Sequence, residues 1–562
     1  MGISLRGMVQ DRVREALAGI GSRAPTMLGD ALFELRVFSE VGLIRPLRPD
    51  KLVRIAERYV RLGASPALGS IANALTDPDR TAIVDEAGTL TWERTHRRSN
   101  ALARALRDEG VGPGDGVAVM CRNHRYFIES TMACAKLGAV ALYLNTAFAG
   151  PQLSDVLERE KPAALIYDQE FTDLLSEAGA DLRRFVAWED EVDEVDETTL
   201  EQLISSAQGD DLEPPDEHGR YIILTSGTTG TPKGAQRSEP EGLSALAALL
   251  SKIPRRSHET VMIAAPLFHS WGFLHFMLSL PTAATMVLRP HFDPEDTLRA
   301  VAEHQARVLA VVPVMMQRII ELPDEVKRRY DLSTLEVTAA SGSSLPGELA
   351  TRWMDEFGDN LYNLYGSTEV AWASIATPED MRAAPGTAGR PPRGTVIRIV
   401  DENDNDVDPG ETGRIFIGNQ MAFEGYTGGG DKEHLGDLLS AGDVGHFDED
   451  GRLFIDGRDD EMIVSGGENV FPREVEDLLS DYDGVAEAAA IGVDDEKFGQ
   501  RLRAFVVKED GSDISEDQLK DHVKKNLARY KVPREIVFLD ELPRNATGKV
   551  LKRELAEHEL DD

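Results

Sequence analysis

Short apolar runs alternate with amphipathic stretches along most of this chain. Gly116–Cys121 (GVAVMC), Ala164–Tyr167 (ALIY) and Val308–Val312 (VLAVV) are uninterrupted apolar blocks, as expected for strands buried on both faces. Between such blocks lie stretches such as Asn100–Glu109, where apolar residues recur with a helical period. From about residue 80 onward this alternation predicts an α/β architecture with largely parallel sheets. The most apolar region, 261–288, is broken by Pro266, His269, His275 and Pro281. It reads as core, because a membrane span needs about 20 consecutive apolar residues. No internal repeat is visible.

A turn-rich passage from Gly442-Asp443 to Asp450-Gly451 leads to an expected boundary near 459. Beyond it the pattern predicts a helix over 473–481, β-like runs at Ala488–Ile491 and Arg503–Val507, and a helix over 516–528. That is a small α+β domain. The expected organisation is therefore a helical extension over 1–75, a large domain of parallel-rich sheets packed with helices over 76–459, and a small domain over 460–562. In the extension, Lys51, Arg54, Arg58 and Arg61 share one helical face, and Leu52, Ile55, Tyr59 and Leu62 a neighbouring one. Such a helix suits an anionic membrane surface; packing on its own domain with a solvated basic side is the favoured reading.

The 562 residues exceed one ordinary domain. A formal net charge of −37 argues against a nucleic-acid-binding surface, and polyanionic ligands then need locally basic pockets. The acidic runs Glu189–Glu197 and Asp401–Asp408 read as solvated loops. Two cysteines, Cys121 and Cys134, cannot form a disulfide framework or a structural zinc site alone. Met1–Gly19 carries charges throughout, so no secretion signal is expected. The expected setting is the cytoplasm, with a peripheral place at the inner membrane face if residues 51–62 meet lipid.

The strongest chemical feature is the β-like run Tyr221-Ile222-Ile223-Leu224 leading into Thr225-Ser226-Gly227-Thr228-Thr229-Gly230-Thr231-Pro232-Lys233-Gly234. Glycines let backbone N–H groups approach phosphate oxygens; hydroxyls add donors, and Lys233 adds a positive charge. Pro232 before the lysine and Gly234 after it exclude the P-loop pattern. This run resembles the phosphate-binding signature of the adenylate-forming superfamily: acyl- and aryl-CoA synthetases, peptide-synthetase adenylation domains and luciferase. Further segments resemble that superfamily's motifs in order. They are Pro266-Leu267-Phe268-His269-Ser270-Trp271-Gly272, Ser341-Gly342-Ser343-Ser344-Leu345-Pro346, Asn363-Leu364-Tyr365-Gly366-Ser367-Thr368-Glu369, Gly442-Asp443, Gly457-Arg458-Asp459-Asp460, Ser465-Gly466-Gly467-Glu468 and Thr547-Gly548-Lys549. The resemblance spans roughly 80–562.

The resemblance implies a fatty-acid–CoA ligase that uses ATP and Mg²⁺, with CoA as acceptor. It implies nucleotide binding by Thr225, Ser226, Gly227, Thr228, Thr229, Gly230, Lys233, Ser341, Gly342, Ser343, Asn363, Tyr365, Gly366, Thr368, Asp443 and Arg458. Glu369 is the implied Mg²⁺ ligand, and Lys549, Thr368, Glu369 and His269 the implied catalytic group. Asp460 is the implied hinge of a mobile C-terminal domain, with Gly466 and Gly467 lining the CoA path. CoA phosphates are expected to meet two or three of Arg473, Lys497, Arg501, Lys524, Lys525, Arg529 and Lys531. Trp271 and Gly272, with Phe273, Phe276 and Met277, are candidates for the acyl-pocket wall. No cation stands out there to pair with a second substrate charge, so a monocarboxylic acid with an apolar body is expected, a medium- or long-chain fatty acid before an aryl acid. The alternatives are an acyl-AMP ligase serving a carrier protein and a non-catalytic nucleotide- or lipid-binding protein at a membrane surface.

Overall fold

The computed structural model describes residues 29–148, 150–177, 182–190, 197–225, 233–237, 243–421, 423–426, 432–459, 463–465, 468–495, 499–527, 531–545 and 548–557. Two large sheets form the bulk of the chain. In the first, six parallel strands run in the order Leu361–Tyr365, Val337–Ala340, Val308–Val311, Thr260–Ile263, Thr285–Leu288 and Thr81–Asp85. Antiparallel strands Ser374–Ala376 and Gly88–Thr91 close its two edges. In the second, Arg220–Thr225, Val140–Tyr143, Gly116–Met120, Ala164–Tyr167 and Arg183–Val186 are parallel. Lys233–Arg237 and Phe423–Tyr426 extend that sheet antiparallel.

The apolar strand blocks are explained by burial on both faces. Along Gly116–Met120, Val117 and Val119 join the core shared with the first sheet, whereas Ala118 and Met120 join a second core on the outer face. The apolar 261–288 region becomes strand Thr260–Ile263, helix Ser270–Ser279 and strand Thr285–Leu288, all largely buried. Among the described residues no helix is long and apolar enough to cross a membrane.

One architectural unit has no counterpart in the expected pattern. Residues 396–458 form a third sheet that is wholly antiparallel, with Gly413–Gly418 and Leu438–Phe447 at its centre. The acidic run Asp401–Asp408 is a turn of this sheet, where Asp401 accepts backbone N–H bonds from Asn403 and Asn405; part of the other run, 191–196, lies outside the described residues. A smaller C-terminal domain has its own five-stranded sheet and core. Its helices, Pro472–Ser480 and Glu516–Asn526, and its strands, Val485–Asp495 and Gly499–Lys508, contain or closely match the expected elements.

Four consecutive buried residues just beyond strand Gly116–Met120 form a polar junction, in which Arg122 and His124 bind within the second sheet and Asn123 and Arg125 reach the first. Arg122 Nε donates to Asp168 at 2.8 Å, and His124 Nε2 meets the other oxygen of the same carboxylate at 2.8 Å. Arg125 Nε and Nη2 reach Asp85 of the first sheet at 2.9 and 2.5 Å. Asn123 Nδ2 donates to Ile263 O and Ala265 O at 3.1 and 2.9 Å, and its Oδ1 accepts from Leu267 N at 2.8 Å. Both cysteines are buried and unpaired. Cys121, His124 and Asp168 lie close enough to share an ion, but Asp168 is already engaged by Arg122 and His124.

Buried imidazoles make the fold acid-sensitive. Burial, and then Lys136, pull His96 down to about 4, and burial pulls His269 to about 4. The unfolded chain, with imidazoles near 6.5, binds more protons between 6.5 and 4, so the stability from keeping these rings neutral is lost as pH falls through that window. Each ring accounts for up to about 3 kcal/mol. The expected result is a urea midpoint that drops from pH 7 to pH 4.5, with a shallower drop in His96→Asn.

Candidate active site

The C-terminal ends of the parallel strands face one continuous cleft of about 2820 Å³. Open α/β sheets place ligands at this end. Strand Val337–Ala340 delivers Ser341, Gly342 and Ser343 to its wall, and strand Leu361–Tyr365 delivers Asn363, Tyr365, Gly366, Thr368 and Glu369. His269, Trp271 and Gly272 enter from the start of helix Ser270–Ser279. Asp443 and Arg458 come from paired positions of the third sheet.

These elements are locked to one another by short polar contacts. Tyr365 Oη donates to Asp443 Oδ2 at 2.5 Å, and Arg458 Nη1 donates to Asp443 Oδ1 at 3.1 Å. One carboxylate thus joins the first sheet to the third. Burial, then the Asp443 charge, hold the Tyr365 hydroxyl well above its ordinary range, so it remains a donor. Ser270 Oγ and Thr368 Oγ1 lie 3.2 Å apart. Ser367 Oγ accepts from the backbone N–H of Glu369 and Val370 at 3.3 and 3.4 Å, closing the turn that carries Thr368 and Glu369. Ala371 has φ 61° in this turn, a left-handed conformation that costs a non-glycine residue energy and marks a constrained loop.

Among the described residues that line the cleft, His269 Nε2 and Asn363 Oδ1 are buried polar atoms without a hydrogen-bond partner. A buried unpaired polar atom costs about 1–3 kcal/mol, so each is a place where a ligand's polar group gains a bond. Neutral His269 accepts or donates there without contributing charge.

The acyl-wall candidates separate. Trp271 is fixed by donating Nε1 to Val311 O at 2.9 Å. Gly272 lines the cleft but is dictated by packing: a Cβ there meets Pro266 O at 2.3 Å. Phe273 and Phe276 are buried at 3% and 0% exposure, and Phe276 belongs to the core instead of the cleft wall. Met277 lines the cleft.

The C-terminal domain contributes Lys549 to the same cleft. Asn545 and Lys549 exchange backbone and side-chain bonds of 2.9 Å across a turn. At its apex Gly548 has φ +78°, and a Cβ there lies 2.2 Å from Val314 Cγ1 of helix Pro313–Ile320. Only a glycine allows this turn to seat against the large domain.

The phosphate-loop expectation falls mostly outside the described residues: Ser226, Gly227, Thr228, Thr229 and Gly230 are not among them, nor are Asp460, Gly466, Gly467, Lys497 and Arg529. The strands flanking the loop pair with Thr225 opposite Lys233. Arg501 is paired with Glu535 at 2.5 Å, and Lys531 with Glu474; Arg473 lines the cleft. Arg501 and Lys531 thus already hold intradomain carboxylates.

Asn123 escaped the sequence reading, where a polar residue after a strand resembles any turn. Its signal was four polar residues directly following a fully apolar strand. By clamping Ala265 O and Leu267 N it sets the segment that carries His269. Asn123→Ala is expected to cost about 3 kcal/mol of stability through the unsatisfied buried groups it leaves, and to lower kcat more than it raises KM for ATP. Denaturant unfolding and steady-state kinetics check this.

Comparison with known proteins agrees with the geometry. The family model described as AMP-binding enzyme matches residues 72–427, and that of the AMP-binding enzyme C-terminal domain matches 474–549. The chain is similar to a feruloyl-CoA synthase of Amycolatopsis sp, with 34% identity over 87% of this chain and 98% of the relative. It is 32% identical to an indoleacetate–CoA ligase of Aromatoleum aromaticum, over 85% of this chain and 94% of that one. Among solved structures it resembles an anthranilate CoA ligase in complex with anthranoyl-AMP, with a TM-score of 0.78 and 26% identity over 88% of this chain and 96% of that one.

Proposed function

This chain belongs to the AMP-binding enzyme family, and on that premise we propose that it activates an apolar carboxylic acid with ATP and transfers the acyl group to CoA. The observation that carries this reading is the convergence of Tyr365, Thr368, Glu369, Asp443, Arg458 and Lys549 on one cleft, supported by relatives named as CoA synthases and ligases.

A carboxylate oxygen of the acid attacks the α-phosphorus of ATP. A new P–O bond forms, the bond to the β-phosphate oxygen breaks, and pyrophosphate leaves. Little covalent chemistry falls to the protein, so orientation and charge stabilisation carry the step. Asp443 accepts from the ribose hydroxyls while Arg458 and Tyr365 hold its orientation. Tyr365 and the 341–343 segment border adenine. Thr368 and Lys549 donate to the α-phosphate as negative charge gathers there, and the 225–233 segment cradles the outer phosphates. Glu369, a hard oxygen donor at the cleft, would hold a Mg²⁺, whose charge would stabilise the departing pyrophosphate.

The CoA thiol then attacks the acyl carbon of the adenylate and AMP departs, the thiol proton passing to solvent or phosphate. For this half the C-terminal domain turns about Asp460, withdrawing Lys549 and bringing Gly466-Gly467 to the thiol path.

The preferred acid is a medium- or long-chain fatty acid. Trp271, Leu246, Leu249, Met277, Leu68 and Ile55 all line the cleft, an apolar set that suits an aliphatic chain. An aryl acid is the second reading, favoured by the feruloyl and indoleacetate relatives. The test is incubation with ATP, Mg²⁺, CoA and single acids from acetate to long chains, benzoates and cinnamates, with products read by mass spectrometry. Acyl-CoA and AMP are expected, strongest with chains longer than acetate. Acyl-AMP without acyl-CoA points to a carrier protein as acceptor, and efficient turnover of only aromatic acids overturns the fatty-acid preference.

A further inference from the structure

We propose that helix Pro66–Thr76, at the end of the N-terminal extension, forms the wall that receives the terminal carbons of a long unbranched acid, and that Ala72 limits the chain that fits. Helix Ser270–Ser279 sets the scale. Its N-terminal end lies at the reaction centre: His269 precedes it with Nε2 unpartnered, and Ser270 Oγ is 3.2 Å from Thr368 Oγ1. Ser270, Phe273, Leu274, Met277, Leu278 and Pro281 all line the cleft. Positions i, i+3, i+4, i+7, i+8 and i+11 share one helical face. The cleft therefore follows this helix along its whole length of ten residues, about 15 Å. Just past its far end, Leu280 is met by helix Pro66–Thr76. Asn73 Nδ2 donates to Leu280 O at 2.9 Å, and a Cβ on Gly69 would lie 2.8 Å from Leu280 Cβ.

Helix Pro66–Thr76 is capped by Ser65, whose side chain accepts from Leu68 N, and it has two faces. Ala67 and Ile71 are buried in a small core with Leu62 and Ala135. Ser65, Leu68, Gly69, Ala72, Asn73 and Thr76 line the cleft, the same repeat as on helix Ser270–Ser279. Gly69 is filled by its contact with Leu280, whereas Leu68 and Ala72 are only half-buried, so a larger side chain at Ala72 projects into the cleft. This face carries no charged residue. Arg45, which also lines the cleft, is paired with Asp77 at 2.5 Å. An apolar chain end suits such a wall, whereas a second carboxylate would be desolvated there without a partner. Carbon–carbon bonds of about 1.5 Å at angles near 111° advance an extended chain by about 1.25 Å each, so the length of helix Ser270–Ser279 corresponds to about 12 carbons. Shorter acids end alongside that helix, and acids of about 12 carbons or more reach Leu68 and Ala72. The inference rests on the proposed acid activation, which sets the carboxylate beside Thr368. It gives the extension, which lies outside the motif series, a part in selecting the acid.

The test compares the wild-type full chain with Ala72→Leu and Ala72→Phe on butanoate, octanoate, dodecanoate and hexadecanoate, with acyl-CoA read by mass spectrometry and dodecanoate binding by calorimetry. The ratio of kcat/KM for dodecanoate to that for butanoate is expected to fall at least about tenfold in Ala72→Phe and by less in Ala72→Leu. KM should carry most of the change, because the obstructed carbons are remote from the reacting atoms. Dodecanoate binding should weaken in the same order. Ala72→Leu, the milder change, carries the comparison if Ala72→Phe fails to fold. A merely structural defect lowers turnover of all four acids alike; that result, or a wild-type ratio in the folded variants, overturns the proposal. A loss as large for octanoate as for dodecanoate also overturns it, since octanoate ends short of the helix. If wild type forms acyl-CoA from none of these acids, the proposed reaction has failed and calorimetry decides the wall by itself. Dodecanoate bound by wild type and more weakly by the variants then supports it, and no binding or equal binding overturns it.

Discussion

Lys549→Ala is expected to lower the rate of acyl-AMP formation by about 10²–10³, roughly 3–4 kcal/mol of transition-state stabilisation. The charge on the α-phosphate rises as the carboxylate attacks in the proposed reaction, and Lys549 lines the cleft from a turn of the C-terminal domain seated against the large domain. Gly548 fits that turn against Val314 with no room for a Cβ, and the Asn545 bonds hold its backbone. The substitution leaves this backbone unchanged and removes only the ammonium group. Stability should therefore hold, and KM for ATP should move less than kcat. Thioester formation from supplied acyl-AMP should be nearly unaffected, because the proposed cycle runs that half-reaction with the domain turned away. Single-turnover quenching with and without CoA separates the two steps. Equal loss in both would place Lys549 in general binding instead.

Gly366→Ala should remove most activity while leaving a folded protein. A Cβ on Gly366 lies 2.3 Å from Ala371 O and 2.7 Å from Trp372 Cα. Both are backbone atoms, so no side chain can swing aside. The segment between them carries Ser367, Thr368 and Glu369 and already holds Ala371 at φ 61°. Relief requires the turn to open by several tenths of an ångström to an ångström, displacing the Thr368 hydroxyl and Glu369 carboxylate that the proposed reaction sets at the phosphates. A shift of that size costs about 10² in kcat/KM, whereas overpacking costs about 1–3 kcal/mol of stability. Thermal melting with steady-state ATP kinetics checks both values. Wild-type kcat/KM would show that this turn does not position reacting groups.

The distribution of legible and illegible features has physical causes. Parallel strands such as Val308–Val311 are buried on both faces, so their apolar blocks stand out in the sequence. The antiparallel sheet over 396–458 has mixed burial and short connections, and its sequence reads as turns. Motif residues were visible one by one, but the Tyr365–Asp443–Arg458 junction joins positions that no periodicity relates. Asn123 has a role only because Ala265 and Leu267 arrive from another sheet. Gly272 illustrates the converse: its place in a motif suggested a pocket wall, and the Pro266 carbonyl behind it shows a packing constraint. On helix Pro49–Leu62 the period was evident, but which apolar residues face inward depends on the contacts of Lys51 with Leu75 O and of Arg54 and Arg58 with Asp211, distant in sequence.

The central claim is that an acid is adenylated before CoA takes part, and exchange of labelled pyrophosphate into ATP tests it most directly. The account predicts rapid exchange that requires both Mg²⁺ and a carboxylic acid, proceeds without CoA, and falls with Lys549→Ala. Exchange that appears only when CoA is added, or acid-dependent release of ADP and phosphate in place of AMP and pyrophosphate, would contradict it.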